Sequence, residues 1–280
     1  MIPQSEILKR KKEAKKYLNQ VIDQMVKADS DIKNIIRQTL YHLVNTSMHY
    51  SCLGKGFHFS ANPELEKRVD KIFDKLLSDI FNIIYLRSEN VDIIAHQKEK
   101  AQRNNKYLHI FLASQIAGLT LDDRIYKYVD MLRSEIEAYI AVGLANGYTQ
   151  SQIINLYIIW LKNPYACPQI LKAFNTKGYK AERIKNKGIT FGKGKYISSF
   201  NNLLRLEQQT IFQAYNHTIN SIWLSNRNIV GWYTIRGSAY PCSICDDNIG
   251  VFHPKDEFFY GYHIRCCCIM LPIFLTDVRT

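Results

Sequence analysis

The chain has 280 residues, 46% of them hydrophobic, enough for one large or two modest domains with real cores. Lysine and arginine outnumber aspartate and glutamate by 37 to 25, a formal charge of +12, which favours a polyanionic partner, nucleic acid or an acidic protein surface. No run of about twenty apolar residues occurs, so no membrane span is expected, and the charged opening, with no apolar stretch behind it, does not read as a secretory signal.

From the N-terminus, residues 4–53 read as two helices. In the first, Ile7, Leu8, Tyr17, Leu18, Val21, Ile22 and Met25 recur at three- and four-residue steps, while Lys9, Arg10, Lys11, Lys12, Lys15 and Lys16 crowd its early turns. That cluster is badly placed for the helix dipole, which prefers acids at an N-terminus. It reads either as a solvated, frayed end or as a contact with DNA or a neighbouring subunit. Asp31 is expected to open the second helix, with Ile32, Ile35, Ile36, Leu40, Leu43 and Val44 on its face. Gly54 and Gly56 then end it in a linker, which is not a phosphate loop because no Gly-Lys-Ser/Thr follows.

A long helical pattern starts at Asn62-Pro63 and runs towards Asn104, with a break expected near Ser88–Asn90; its wide apolar face suits a bundle or an arm packed on neighbouring subunits. His96 and His109 lack a second ligand at helical spacing and read as structural or surface residues. Residues 105–118 and 121–146 continue the pattern, started by Asp122-Asp123 and stopped by Asn146-Gly147. Asp122, Asp123, Asp130, Glu135 and Glu137 could form a carboxylate site, but helix-start acids and a solvated face explain them more cheaply. Thr149-x-x-Gln152 fits a capping box that opens a short helix ending before Pro164.

Between Lys172 and Lys195 the composition turns basic and glycine-rich, with Tyr179, Phe191 and Tyr196 interspersed. Lys177, Lys180, Arg183, Lys185, Lys187, Lys193 and Lys195 are the candidates for contact with nucleic acid or a protein partner: cations release counterions from phosphates, and rings stack on bases. A solvated loop joining two halves of the chain accounts for the same residues. Ile197–Ser225 then reads as an amphipathic helix with Phe200, Leu203, Leu204, Ile211, Phe212, Tyr215, Ile219 and Ile222 inward, Ile229–Ile235 as a strand, and Val251-Phe252 and Phe258–Tyr260 as short strands.

Five of the seven cysteines fall between Cys242 and Cys268. Cys242-x-x-Cys245 is followed by His263-x-x-Cys266, with Gly250 and Pro254 in the loop between. A C-x-x-C turn sets two thiolates on one side of a metal and an H-x-x-C closes the tetrahedron, the spacing of a structural zinc knuckle with no open position for substrate. Cys266 is the preferred fourth ligand and Cys268 a possible extra one; His253, just before Pro254, reads as a solvated loop residue. Reduced, unligated thiols or a disulfide are the competing reading, but the crowding and odd number favour a metal in a reducing compartment. Cys52 and Cys167 read as isolated, buried or half-buried thiols. Asp246, Asp247, His253, Asp256 and Glu257 could instead bind a second metal and activate water, as in a zinc-stabilised treble-clef-type nuclease; that needs a helix after His263, and none is legible. A zinc-bearing DNA-binding protein would need a recognition helix, which is also missing.

Leu204-Arg205-Leu206-Glu207, Gly231-Trp232-Tyr233-Thr234, Cys242-x-x-Cys245, Gly250-Val251-Phe252 and His263-x-x-Cys266-x-Cys268 together resemble the phage Mu F-like head morphogenesis domain, the phage minor head protein family. The resemblance spans roughly residues 140–274 and departs from the family at Ile264, where the family has proline, and Cys267, where it has arginine. It implies a virion component of the head near the portal vertex, made in the host cytoplasm, that joins an oligomeric assembly with portal protein and other virion proteins, with double-stranded DNA as a further candidate partner. It implies no enzymatic activity. The expected architecture is mainly α: an elongated helical region over 1–165, a basic Gly/Lys-rich linker over 166–195, and a small α+β Mu F-like domain over 196–280 closed by the zinc knuckle, with Trp232 packed over the metal.

Overall fold

The computed structural model describes residues 4–50, 56–162 and 198–278; the basic segment from Lys177 to Lys195, with Cys52 and Cys167, lies outside the described residues. The fold is mainly helical, with one small antiparallel sheet near the C-terminus. No helix among the described residues is long and apolar enough to cross a membrane.

Helix α1 (Gln4–His49) is continuous, not two helices. Asp31 does not open a second one: no glycine or proline interrupts the chain there, and buried Val21, Ala28, Ile32, Ile36 and Leu40 keep one stripe running past it. Helix α2 (Pro63–Glu99) is also unbroken at Ser88–Asn90, because Ser88 is fully buried within the stripe of Ile80, Ile84, Val91 and Ala95. Asn62 caps α2, its Oδ1 accepting from the N–H groups of Glu64 (2.9 Å) and Leu65 (3.2 Å). Helices α3 (Lys106–Ala113), α4 (Leu121–Ala145) and α5 (Gln150–Lys162) follow. The capping box of α5 forms as expected: the Thr149 N–H donates to Gln152 Oε1 at 2.8 Å and the Gln152 N–H to Thr149 Oγ1 at 3.4 Å. Helix α6 (Ser199–Ser225) leads to strand β1 (Ile229–Ile235), the one-turn α7 (Ser243–Asp246), β2 (His253–Pro254), β3 (Ile269–Phe274) and α8 (Leu275–Val278).

The sheet runs β2-β1-β3, both pairings antiparallel. Strand β2 starts two residues beyond the expected Val251-Phe252, and Phe258–Tyr260 is not a strand. Instead the Phe259 N–H donates to Asn220 Oδ1 on α6 at 3.0 Å, and its ring is buried. Strand β3 lies beyond the strands expected from the sequence; it carries Pro272, which its edge position tolerates.

The described residues form two compact units. One takes the described parts of Asp31–Asn82 and Asp122–Leu206 and buries Ile32, Ile36, Phe59, Phe73, Ile136, Tyr139 and Tyr157. Glu135 and Glu137 belong to this core rather than to a solvated face: Glu135 is fully buried and its Oε1 accepts from the Ser199 N–H (2.9 Å) and hydroxyl (2.7 Å), so a carboxylate meets the positive end of α6. Glu137 lies 3.1 Å from His58 Nδ1. Asp122 and Asp123 do occupy the exposed first turn of α4.

The other unit takes the described parts of Met1–Ser30, Ile83–Leu121 and Glu207–Thr280. Its core joins Leu18 and Val21 of α1, Val91 and Ala95 of α2, Ile211, Tyr215, Ile219 and Trp223 of α6, and Trp232, Met270 and Leu271 of the sheet. The middle of α6 is buried nearly all round, and some of its polar side chains take internal partners: Thr218 donates to Asp92 at 2.8 Å. Trp223 Nε1 donates to Glu99 at 2.6 Å. His96 is structural, with Nδ1 2.9 Å from the Asp92 carbonyl and Nε2 accepting the Asn104 N–H at 3.1 Å. Arg10 of α1 reaches Asp277 of α8 at 2.9 Å and lies over the Phe274 ring, which ties the first helix to the C-terminal segment.

Candidate metal centre

Two chain reversals build the centre. After β1, Arg236-Gly237 leaves the sheet and Cys242 precedes the single turn of α7, where the Asp246 N–H donates to the Cys242 carbonyl at 2.9 Å. That turn sets the Cys242 and Cys245 thiols on one side. The second reversal runs from Gly261 (φ 96°) to Cys266, whose N–H donates to the His263 carbonyl at 3.0 Å. Arg265 adopts φ 65° there, a left-handed conformation rare outside glycine, and β3 starts at Ile269 straight after. Gly237 locks the reversals together: a Cβ at this position would overlap the Cys267 carbonyl oxygen.

His263 Nε2 lies 3.2 Å from Cys242 Sγ and 3.0 Å from Cys245 Sγ. Its Nδ1 is 2.8 Å from the Ile264 carbonyl, an arrangement that places the ring proton on Nδ1 and points the Nε2 lone pair at the two sulfurs. On the other side of Cys245, Cys266 Sγ lies at 3.9 Å. Two groups of donors therefore share Cys245, Cys242–Cys245–His263 and Cys245–Cys266–Cys268, the atoms of each within 4.8 Å of one another, and either could hold a metal ion. All five cysteines are free thiols, and Cys245, Cys266 and Cys268 are buried. Cys267 points away, towards the Arg265 carbonyl at 3.6 Å.

The electrostatics divide the thiols. The Cys245 backbone N–H holds the Cys242 thiol below its ordinary pKa, and the hydrogen bond from Cys268 brings Cys266 down to about 5. Burial pushes Cys245 up to about 11, while Cys268 is raised chiefly by its hydrogen bond to Cys266. His263 is raised first by its bond to the Ile264 carbonyl, then by the charges of Cys266 and Cys242. The centre thus alternates thiolate-prone and thiol-prone sulfurs, and a cation would displace the remaining protons.

His253 is neither a ligand nor a solvated loop residue. It sits on β2, stacks on Trp232 with centroids 4.1 Å apart, and places Nδ1 3.0 Å from Glu257. Trp232 stacks on His253 and packs against Phe259, with Nε1 donating to the Glu257 carbonyl at 2.9 Å, and belongs to the same buried cluster as Cys245, Cys266 and Cys268. Asp246, Asp247, His253, Asp256 and Glu257 form no group able to hold a second metal among the described residues; Asp246 lies 3.6 Å from Arg236 instead. Sequence reading passed over Arg236, which donates to the Cys242 carbonyl at 3.4 Å and to the Tyr240 carbonyl and so holds the approach to the C-x-x-C turn. The Arg-Gly that directly follows the strand was the available signal. The lysines and arginine proposed to contact nucleic acid, Lys177 to Lys195, lie outside the described residues.

No protein-family model, curated protein or solved structure matches the chain.

Proposed function

We propose that the chain is a phage minor head protein, a non-enzymatic component of the virion head near the portal vertex, whose C-terminal segment is held by one structural zinc. The observation that supports this reading is that buried Glu207 and Trp232 lie in one compact unit with Cys242, Cys245, His263, Cys266 and Cys268, although Leu204, Arg205 and Leu206 of the same run fall in the other unit. Thiolate and imidazole donors suit zinc better than magnesium or calcium, which prefer oxygen. Cys242, Cys245, His263 and Cys266 are the ligands in this reading, with Cys268 as the hydrogen-bonded neighbour of Cys266. The 3.9 Å between the Cys245 and Cys266 sulfurs matches the roughly 3.8 Å edge that two thiolates about 2.3 Å from one zinc would span. Four protein donors leave no position for substrate, so the metal stabilises the fold and performs no reaction.

Portal protein is the principal partner in this reading, and the basic residues Lys177, Lys180, Arg183, Lys185, Lys187, Lys193 and Lys195 meet packaged DNA or an acidic portal surface. Co-expression with the cognate portal protein, followed by purification on a tag carried by the portal ring, tests it. The chain is expected to co-purify with the ring. Failure to associate, together with metal-dependent cleavage of DNA by the purified chain, would overturn the reading in favour of a nuclease.

A further inference from the structure

We infer that the first turns of α1 carry a face for the phosphate backbone of nucleic acid, formed by Lys9, Lys12 and Lys16 and flanked by Lys15. This inference stands on α1 alone, apart from the metal centre and the head-protein reading. At 100° per residue, Lys9, Lys12 and Lys16 project from one side of the helix and Ala14, Leu18 and Val21 from the other. The second set is buried at 3% exposure or less and the first is exposed. The stretch is a formed part of its unit: Arg10, on the inward side, is held by Asp277 at 2.9 Å and by Glu6 at 3.2 Å. The lysine face is thus presented on a fixed support.

The lysines have no internal use. Among the described residues none of Lys9, Lys11, Lys12, Lys15 and Lys16 forms an ion pair; Lys16 only lies 5.8 Å over the neighbouring Tyr17 ring. Of the acids in the same stretch, Glu6 pairs with Arg10, while the exposed Glu13 stands on the lysine side, four positions after Lys9 and three before Lys16, and its charge adds to those that raise Lys98. Lys9–Lys12, Lys12–Lys15, Lys12–Lys16 and Lys11–Lys15 stand at i,i+3 or i,i+4 spacing and repel one another, at a cost to stability. An external polyanion removes that cost.

Length and surroundings select the partner. Lys9 to Lys16 spans about 10 Å of helix, which matches about three phosphates of one strand at 3.4 Å of axis each. A membrane-surface helix would need its apolar face free for lipid, whereas here that face is the core, and Leu8 is the exposed large apolar residue among the lysines. With base-reading geometry absent from a bare lysine face, binding is expected to be independent of sequence.

The test is binding of the full chain to labelled duplex DNA of mixed sequence, by fluorescence anisotropy across a salt series. Wild type is compared with K9Q/K12Q/K16Q and with K67Q/K71Q/K75Q, which removes equal charge from exposed positions on α2. The slope of log K against log salt should fall by about 2.7 in the α1 variant, so that wild type loses about 40-fold more affinity than this variant between 50 and 200 mM salt. The α2 variant should keep the wild-type slope. Helix content and melting temperature of the α1 variant should hold or rise, since the substitutions relieve that repulsion. Equal slopes in all three proteins, equal losses in both variants, or no DNA binding by wild type would each overturn the inference. So would binding to phosphatidylserine vesicles that the α1 substitutions abolish while DNA binding is unchanged.

Discussion

Gly237 shows how one atom can decide whether the cysteine-histidine cluster forms. Its missing Cβ makes room for the Cys267 carbonyl, and the Leu18 side chain closes the space from the other side. Gly237→Ala must push the cysteine run away from the C-x-x-C turn, because backbone cannot rotate out of the way as a side chain can. A loss of about 3 kcal/mol in urea unfolding is expected, with weakened metal retention during dialysis. His217 acts through charge. Burial against Phe111 and Phe258 lowers its imidazole to about 4, and Nδ1 faces the Tyr260 hydroxyl at 2.9 Å. A depressed folded pKa contributes stability that is fully present above the unfolded value of about 6.5 and is lost as pH falls through about 4. Unfolding free energy should therefore decline between pH 6.5 and 4 by up to about 3 kcal/mol, and His217→Phe should flatten that part of the profile.

At the scale of elements, buried carboxylates and caps hold the helices in register. Glu135 receives both the N–H and the hydroxyl of Ser199 at the head of α6, so Glu135→Ala leaves two donors without that acceptor. It should cost about 2–3 kcal/mol in denaturant unfolding, and Glu135→Gln, which keeps an oxygen there, about half as much. A cost below about 0.5 kcal/mol for the alanine variant would show that Ser199 does not depend on this carboxylate. Most helices were legible as three- and four-residue periodicity, and the Thr149 capping box was legible as a motif. The errors have physical causes. Asp31 looks like a helix start, but a start signal matters only where the apolar stripe breaks, and Ala28 and Ile32 carry it through. Ser88 looks like an interruption, yet a buried serine is tolerated inside a regular helix. Strand β3 contains Pro272, and the edge position that makes proline harmless there is a property of the sheet and not of the segment.

Across the whole molecule, the cysteine-histidine cluster was legible because metal ligands sit at short, fixed spacings, whereas its supports were not. Arg10 and Asp277 meet across 267 positions of sequence, and Thr218 meets Asp92 across 126; no local pattern announces either pair. The unit that carries the centre is therefore assembled from both ends of the chain and a piece between them. Removing a structural metal should loosen β1, α7 and β3 while α4, in the other unit, keeps its amide protection in hydrogen exchange. Loss of protection throughout the chain would instead mark the metal as a condition for folding at all. The central claim is that Cys242, Cys245, His263 and Cys266 close on one zinc, and metal content by mass spectrometry tests it most directly, on protein purified without added zinc and on Cys242→Ser. One zinc per chain, lost in the variant together with the fold of the C-terminal segment, is the predicted result; a folded wild-type protein that carries no zinc would contradict it.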